Sequence, residues 1–328
     1  MPARAAARIL IGIVLYLCFG TVMFFAAFAL LRGGIATDLP WLHAIQVNLY
    51  HGGIRNIWQN QPGCVAFDEQ LLYRPKDGAC VFKNAEFDTV LNFSRNMRVS
   101  KPLASSRAGV AVVGDSFAMG WGVNDNETFS AQLQERLGRP VHNLAVASYG
   151  TVRELIALER SGLLATIDTV VIQYSENDID ENLNFKPSSD TEKREKFGQV
   201  TNRGKTSLSE QLPFLYAGYR YALKVPFGGI KSLWKVKPPL NFASHYRPLM
   251  AAIRQHESLK DKRVIVFCIN GQDKGFKNFP SGPDAELAYV RFVDLGIGRE
   301  NHFPLDDHLT PRGHRFVADR LAEIITSP

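Results

Sequence analysis

Cysteine is scarce in this chain: four residues in 328, none grouped with histidine at metal-ligand spacing. That excludes a structural zinc of the Cys/His kind, and no metal is expected. No Gly-Lys-Ser/Thr follows an apolar strand, and the pair Gly114 and Gly120 does not form a phosphate loop. Nucleotide and nicotinamide chemistry therefore lack a site, and no cofactor is expected. No segment is of low complexity, and none repeats at a period of about 20–50 residues, which removes solenoids and propellers. What is present is an ordinary globular composition, 45% hydrophobic and 21% charged, long enough for one large domain with additions.

Charge is absent from residues 9–31, a 23-residue run rich in Leu, Ile, Val and Phe. A spanning helix needs about 20 such residues. A cleaved signal has a shorter apolar core of about 7–15 residues, so the small residues Ala26, Ala27 and Ala29 are the weaker reading. Arg4 and Arg8 precede the run; Arg32 and Asp38 follow it. The positive-inside bias places residues 1–8 in the cytoplasm and residues 32–328 outside, on an inner or plasma membrane whose lipid surrounds residues 9–31. The cysteines lean the same way. Cys18 lies in the span and Cys268 in an apolar run; Cys64 and Cys80 flank a segment with Pro75 and Gly78. In an oxidising compartment these two can form a disulfide worth about 3 kcal/mol.

Residues 32–100 hold Trp41, Trp58, Tyr73 and Phe82, and are read as a packed juxtamembrane segment. From residue 101 strands and helices alternate. Strands are predicted over 108–113, 141–146, 169–174 and 264–269. Helices are predicted over 127–137, 151–164 (with Thr151 as N-cap), 247–259 and 310–326. This rhythm predicts a three-layer α/β/α domain with a mostly parallel sheet, over 101–328. It breaks at 186–240, where 11 Lys and Arg face four Asp and Glu, a net of +7 in a chain of net +6. This basic, aromatic stretch is read as an insertion. It can pack with a solvated basic face, cover the crevice, or meet an anionic polymer or head group. Nucleic acid fits poorly, since the excess is confined to this insertion, which the topology keeps outside the cytoplasm.

Ser116 stands in Gly114-Asp115-Ser116-Phe117, directly after an apolar strand. Such strands end at the ligand crevice of open α/β sheets. Asn143 to Gly150, then Ser175-Glu176-Asn177-Asp178, then Asp306-Asp307-His308 follow. In order and content these four blocks resemble the SGNH hydrolase family, a branch of the GDSL-type esterases, over about residues 107–180 and 300–326. The resemblance implies a flavodoxin-like fold, acyl-ester chemistry, Ser116 as nucleophile, His308 as base, and Gly150 and Asn177 as oxyanion donors. Two departures stand out. Ser175 replaces the usual glycine of the third block, and Leu305 occupies the place where the family's last aspartate usually lies. The nearer Asp306-x-His308 spacing resembles the variant in polysaccharide O-acetyltransferases, and favours Asp306 over Asp307 as the residue orienting His308.

The chemistry is coherent without the family. An imidazole titrating near 6.5 can take a serine proton. Asp306 would set its tautomer. The N–H groups of Ser116 and Gly150 and the Asn177 amide would hold the developing oxyanion. His314, on the closing helix, is read as structural. Three functions follow: an anchored serine esterase or O-acyltransferase acting on acyl, chiefly acetyl, esters of a cell-envelope glycan; a lipase-like or thioesterase-like hydrolase at the bilayer; or a silent glycan-binding scaffold. A single span cannot carry acyl groups outward, so a transferase requires a membrane acyl-donor partner.

Overall fold

The computed structural model describes residues 9–22, 43, 46–47, 50–51, 57–185, 189–201, 240–272 and 275–327. The chain divides into two units, residues 1–55 with 205–237 and residues 56–204 with 238–328. In the first unit residues 9–22 are helical, and their apolar side chains, such as Leu10 and Leu15, are exposed. Residues 23–31 of the expected span lie outside the described residues, as do 202–239 of the expected insertion. Among the described residues no helix is long and apolar enough to cross a membrane.

The second unit is built on a nine-stranded sheet. Its elements, with a separate β1–β2 hairpin, run in chain order as β1 (Val65–Asp68), β2 (Leu72–Pro75), β3 (Gly78–Lys83), β4 (Asp88–Ser94), β5 (Met97–Arg98), β6 (Gly109–Val113), α1 (Ser116–Met119), α2 (Phe129–Leu137), β7 (Val141–Asn143), α3 (Thr151–Arg160), β8 (Ile167–Tyr174), α4 (Asp178–Asn184), α5 (Asp190–Thr201), α6 (Ala243–Arg254), β9 (Arg263–Cys268), β10 (Gly282–Pro283), β11 (Val290–Phe292) and α7 (Pro311–Thr326). The sheet order is β10-β11-β9-β8-β6-β7-β5-β4-β3. The five strands from β11 to β7 are mutually parallel; β10 at one edge and β5, β4 and β3 at the other are antiparallel. Taken in chain order the parallel strands lie 2-1-3-4-5, the flavodoxin-like order.

Both faces of these central strands are covered, which is why β6 and the middles of β8 and β9 read as apolar runs instead of alternating ones. All five residues of β6 are buried. Val110 and Val112 join one core cluster with Leu133 of α2 and Val317 and Leu321 of α7. Ala111 and Val113 point the other way, into a cluster with Leu155 and Leu158 of α3 and Leu249 and Ile253 of α6. The helices begin and end where their caps dictate. Thr128 accepts from the Ala131 N–H before α2, Gly138 ends that helix in the left-handed conformation, and Thr310 accepts from the Gly313 N–H before α7.

Several expectations change. Residues 57–100, expected as a segment ahead of the domain, supply β3, β4 and β5 to the sheet itself. Cys64 and Cys80, with Cα atoms 5.8 Å apart, are joined as a disulfide in this part of the core. Helix α5 starts inside the expected insertion yet packs on the same unit, with Phe197 edge-on to Phe67 at 5.7 Å. Strand β7 stops at Asn143, whose side-chain amide turns inward to Ala118 O and Ser130 Oγ, both at 2.9 Å. Helix α3 stops at Arg160, and Gly162 follows with φ of 73°. Thr151 does not cap α3; Gly150 is the N-cap and has no side chain to offer.

Candidate active site

In the sheet β7 and β8 flank β6 on opposite sides, so the chain reverses its direction of travel at β6. Ligand crevices form at such a switch point, beyond the C-terminal ends of the strands. Ser116 leaves β6 there as the first residue of α1. The turn requires Gly114: its φ is 155°, and a Cβ would come within 2.7 Å of Gln173 Oε1 and Ala118 Cβ. Gln173, on β8, accepts the Asp115 N–H at 3.1 Å and thereby ties the two strands together at this point.

Asp115 caps α1, its Oδ1 accepting the Phe117 N–H at 2.8 Å. Ser175 Oγ lies 2.9 Å from both Asp115 Oδ2 and Ile269 O. The serine that stands in place of the usual glycine thus locks β8 to the turn carrying Ser116. Burial pushes the Asp115 carboxyl above the usual range, against the Phe117 N–H and the nearby His308, which favour its anion.

His308 comes from the loop before α7. Its Nε2 lies 2.7 Å from Ser116 Oγ, and its Nδ1 lies 2.5 Å from Asp306 Oδ1. An ionised carboxylate only accepts, so Nδ1 carries the proton and Nε2 presents a lone pair to the serine hydroxyl. Phe117 stacks on the imidazole, centroids 4.5 Å apart. Asp306 is 1% exposed, and its Oδ2 accepts from Trp121 Nε1 at 3.3 Å. Asp307 turns elsewhere: its φ is 73°, and its Oδ1 accepts the Gln272 N–H at 2.6 Å.

The expected oxyanion donors are divided. Ser116 N opens α1, and the Asn177 side chain lies near enough to the Asp115 carboxyl to favour its anion. Gly150 differs from expectation. Its N–H donates to Glu181 Oε2 at 3.1 Å, and a Cβ on it would meet Glu181 Cβ at 2.8 Å. Glu181 Oε1 also accepts the Arg153 N–H at 2.9 Å, while the Arg153 guanidinium pairs with Oε2. A carboxylate from α4 does for α3 what a capping side chain normally does, favoured by the positive end of the helix. The sequence reading missed Glu181, Glu86 and Trp121; none belongs to a spacing pattern, because each acts across the fold. Among the described residues no group of three or more His, Cys, Asp or Glu is placed to hold a metal ion.

No protein-family profile and no curated protein matches the chain. Among solved structures it matches a carbohydrate esterase family 2 enzyme with a carbohydrate-binding domain from Corynascus thermopiles (Myceliophthora fergusii) at 14% identity and a TM-score of 0.39, over 70% of this chain and 68% of that one. It matches a member of the lipolytic G-D-S-L family from Veillonella parvula at 12% identity and a TM-score of 0.36, over 67% of this chain and 99% of that one. An acetylxylan esterase from Geobacillus stearothermophilus, in a catalytic-mutant form, matches at 13% identity and a TM-score of 0.35, over 69% of this chain and 97% of that one. The reading of the site rests on its own geometry.

Proposed function

We propose that this chain is a serine esterase or O-acyltransferase that works through an acyl-enzyme on Ser116. The observation that supports it most is the hydrogen-bonded chain Asp306–His308–Ser116, with heavy-atom distances of 2.5 and 2.7 Å, at the strand ends of a doubly covered sheet. Ser116 Oγ attacks the ester carbonyl carbon as its proton passes to His308 Nε2. The carbonyl oxygen becomes an oxyanion facing the Ser116 N–H and the Asn177 amide. The intermediate collapses by breaking the bond to the alcohol oxygen, which takes the proton back from His308. Water, or a sugar hydroxyl in a transferase, then attacks the acyl carbon as its proton passes to His308, and the bond to Ser116 Oγ breaks as that oxygen takes the proton back. Asp306 holds the ring and stabilises the imidazolium at both stages.

The substrate we assign is an acetyl or other short acyl ester of a cell-envelope glycan. Its support is the apolar run 9–31, read as an anchor with the catalytic unit outside the membrane; the excess of basic residues over 186–240, suited to an anionic polymer; and the Cys64–Cys80 bond, which belongs in an oxidising compartment. The test is labelling of the full-length chain with a fluorophosphonate, together with turnover of p-nitrophenyl esters of increasing chain length. Labelling that vanishes in Ser116→Ala and a preference for acetate are expected. Failure of the folded parent to label sinks the acyl-enzyme; a strong preference for long chains sinks the glycan substrate.

A further inference from the structure

Glu86, on the β3–β4 hairpin, lies 219 residues from Leu305 in sequence, yet the hairpin tip reaches the loop that carries Asp306 and His308. The tip is a tight turn, closed by the Asn84 N–H on Phe87 O at 2.9 Å. Glu86 lies at its outer end. Its carboxylate accepts the Asp306 N–H at 2.7 Å (Oε2) and the Leu305 N–H at 2.9 and 3.0 Å (Oε1 and Oε2). Two successive backbone donors thus converge on one side chain.

The neighbouring packing keeps the hairpin tip in place. The Phe87 ring sits 5.4 Å from Phe303 and 5.6 Å from Trp121, the residue that donates to Asp306 Oδ2. Gly122 leaves room for this meeting, since a Cβ there would come within 2.8 Å of Phe303 and 3.1 Å of Phe87. The loop itself is pinned at its base by the Phe303 N–H on His308 O at 2.8 Å and the Asp307 N–H on Phe303 O at 3.1 Å. The middle of the loop, Leu305–Asp306, is held by Glu86.

We propose that Glu86 is a positioning residue: it fixes the backbone at Asp306 and through it the line from Asp306 Oδ1 to Ser116 Oγ. The proposal rests on the catalytic reading above. It follows from direction. A carboxylate gripping the Asp306 N–H sets where that residue's side chain starts, and the 2.5 and 2.7 Å contacts downstream leave little play. Misplacement of a reacting group by about 1 Å can cost about a hundredfold in rate. Loss of Glu86 should therefore fall on the chemical step and not on substrate binding.

The test uses the full-length chain with p-nitrophenyl acetate, reading kcat, KM and melting temperature for Glu86→Ala, Glu86→Asp and Glu86→Gln beside Ser116→Ala. Glu86→Ala is expected to lower kcat about tenfold to a hundredfold with KM held within about twofold. Glu86→Asp keeps the charge but withdraws the acceptor by one methylene, and it should fall in kcat as well. Glu86→Gln keeps an acceptor at full length and should recover most of the rate. If the alanine variant does not fold, the ordering Gln above Asp decides. Parent-like kcat in all three, or a loss carried by KM, overturns the proposal while an inactive Ser116→Ala leaves the catalytic reading standing. An active Ser116→Ala overturns both.

Discussion

Glu181 Oε2 accepts the Gly150 N–H at 3.1 Å, so the backbone donor expected to meet an oxyanion already holds an anion of the chain itself. The arrangement is tightly built. Both members of the Arg153–Glu181 pair are about one-seventh exposed, and the Arg153 guanidinium sits 4.4 Å over the Tyr149 ring. On the proposed acyl-enzyme reading, the donors left for an oxyanion are the Ser116 N–H and the Asn177 amide, whose partner at rest is the Asp115 carboxyl. The proposal then gives the oxyanion two donors, not three.

Asn177→Ala is therefore expected to cost about a hundredfold to a thousandfold in kcat, the usual loss for one oxyanion donor. Single-turnover acylation with p-nitrophenyl acetate measures it. A loss under about tenfold would mean that Gly150 contributes after all and that Glu181 leaves it during turnover.

Asp306 and Asp307 are adjacent but face different partners. Asp306 meets His308, whereas Asp307 holds the Gln272 N–H. Asp306→Asn leaves the ring with the wrong tautomer and should lower kcat by about four orders of magnitude. Asp307→Asn keeps a carbonyl oxygen for Gln272 and should stay within about threefold of the parent. Steady-state kinetics on the two variants side by side checks this; the reverse ranking would assign the orienting role to Asp307.

The central architecture was legible because doubly covered strands leave an unmistakable signal: β6 has no polar side chain, and β8 and β9 carry the apolar runs Val170–Ile172 and Val264–Phe267 at their centres. The motif blocks were legible because Ser116, Asn177 and His308 each follow or precede a regular element. The hairpin strands β3 and β4 were not, because half their residues face solvent and Pro75 and Gly78 suggested a loop. Short strands β10 and β11 carry too few residues for a pattern. The fate of the Gly150 N–H was hidden for another reason. It depends on a carboxylate on the next helix, α4, and no spacing in the sequence records that two helix starts lie side by side.

Glu154, on α3, is fully buried, and neither carboxyl oxygen has a hydrogen-bond partner among the described residues. Burial pushes its pKa well above the usual range, and the neighbouring Asp178 and Asp115 push it the same way. A carboxyl whose folded pKa is raised stabilises the fold below its unfolded pKa and loses that contribution as pH rises. Glu154→Gln removes the titration. The variant should match the parent near pH 4 and exceed it at pH 8, the gap opening by about 1.4 kcal/mol per pH unit until the folded group ionises. Urea unfolding across that range measures the gap; a gap independent of pH would show that Glu154 is ionised in the fold.

His314 works in the opposite direction. It lies on α7, 1% exposed, with Nδ1 accepting the Phe129 N–H at 3.1 Å and its ring stacked on Phe129. Burial, with Arg98 and His308 nearby, pushes its pKa down to about 3. In the unfolded chain it titrates near 6.5. Between these values the unfolded state holds a proton that the folded state refuses, so stability is full above about pH 6.5 and falls as the pH drops. His314→Asn keeps an acceptor for the Phe129 N–H but cannot titrate. The smaller side chain costs packing, and that cost is the same at every pH. The informative quantity is then the change in the parent-minus-variant difference between pH 7.5 and 4.5, expected to be about 3 kcal/mol against the parent on acidification. A difference that stays constant would place a protonated imidazole in the core, where no carboxylate among the described residues is bonded to it, and would refute the neutral, acceptor role assigned here.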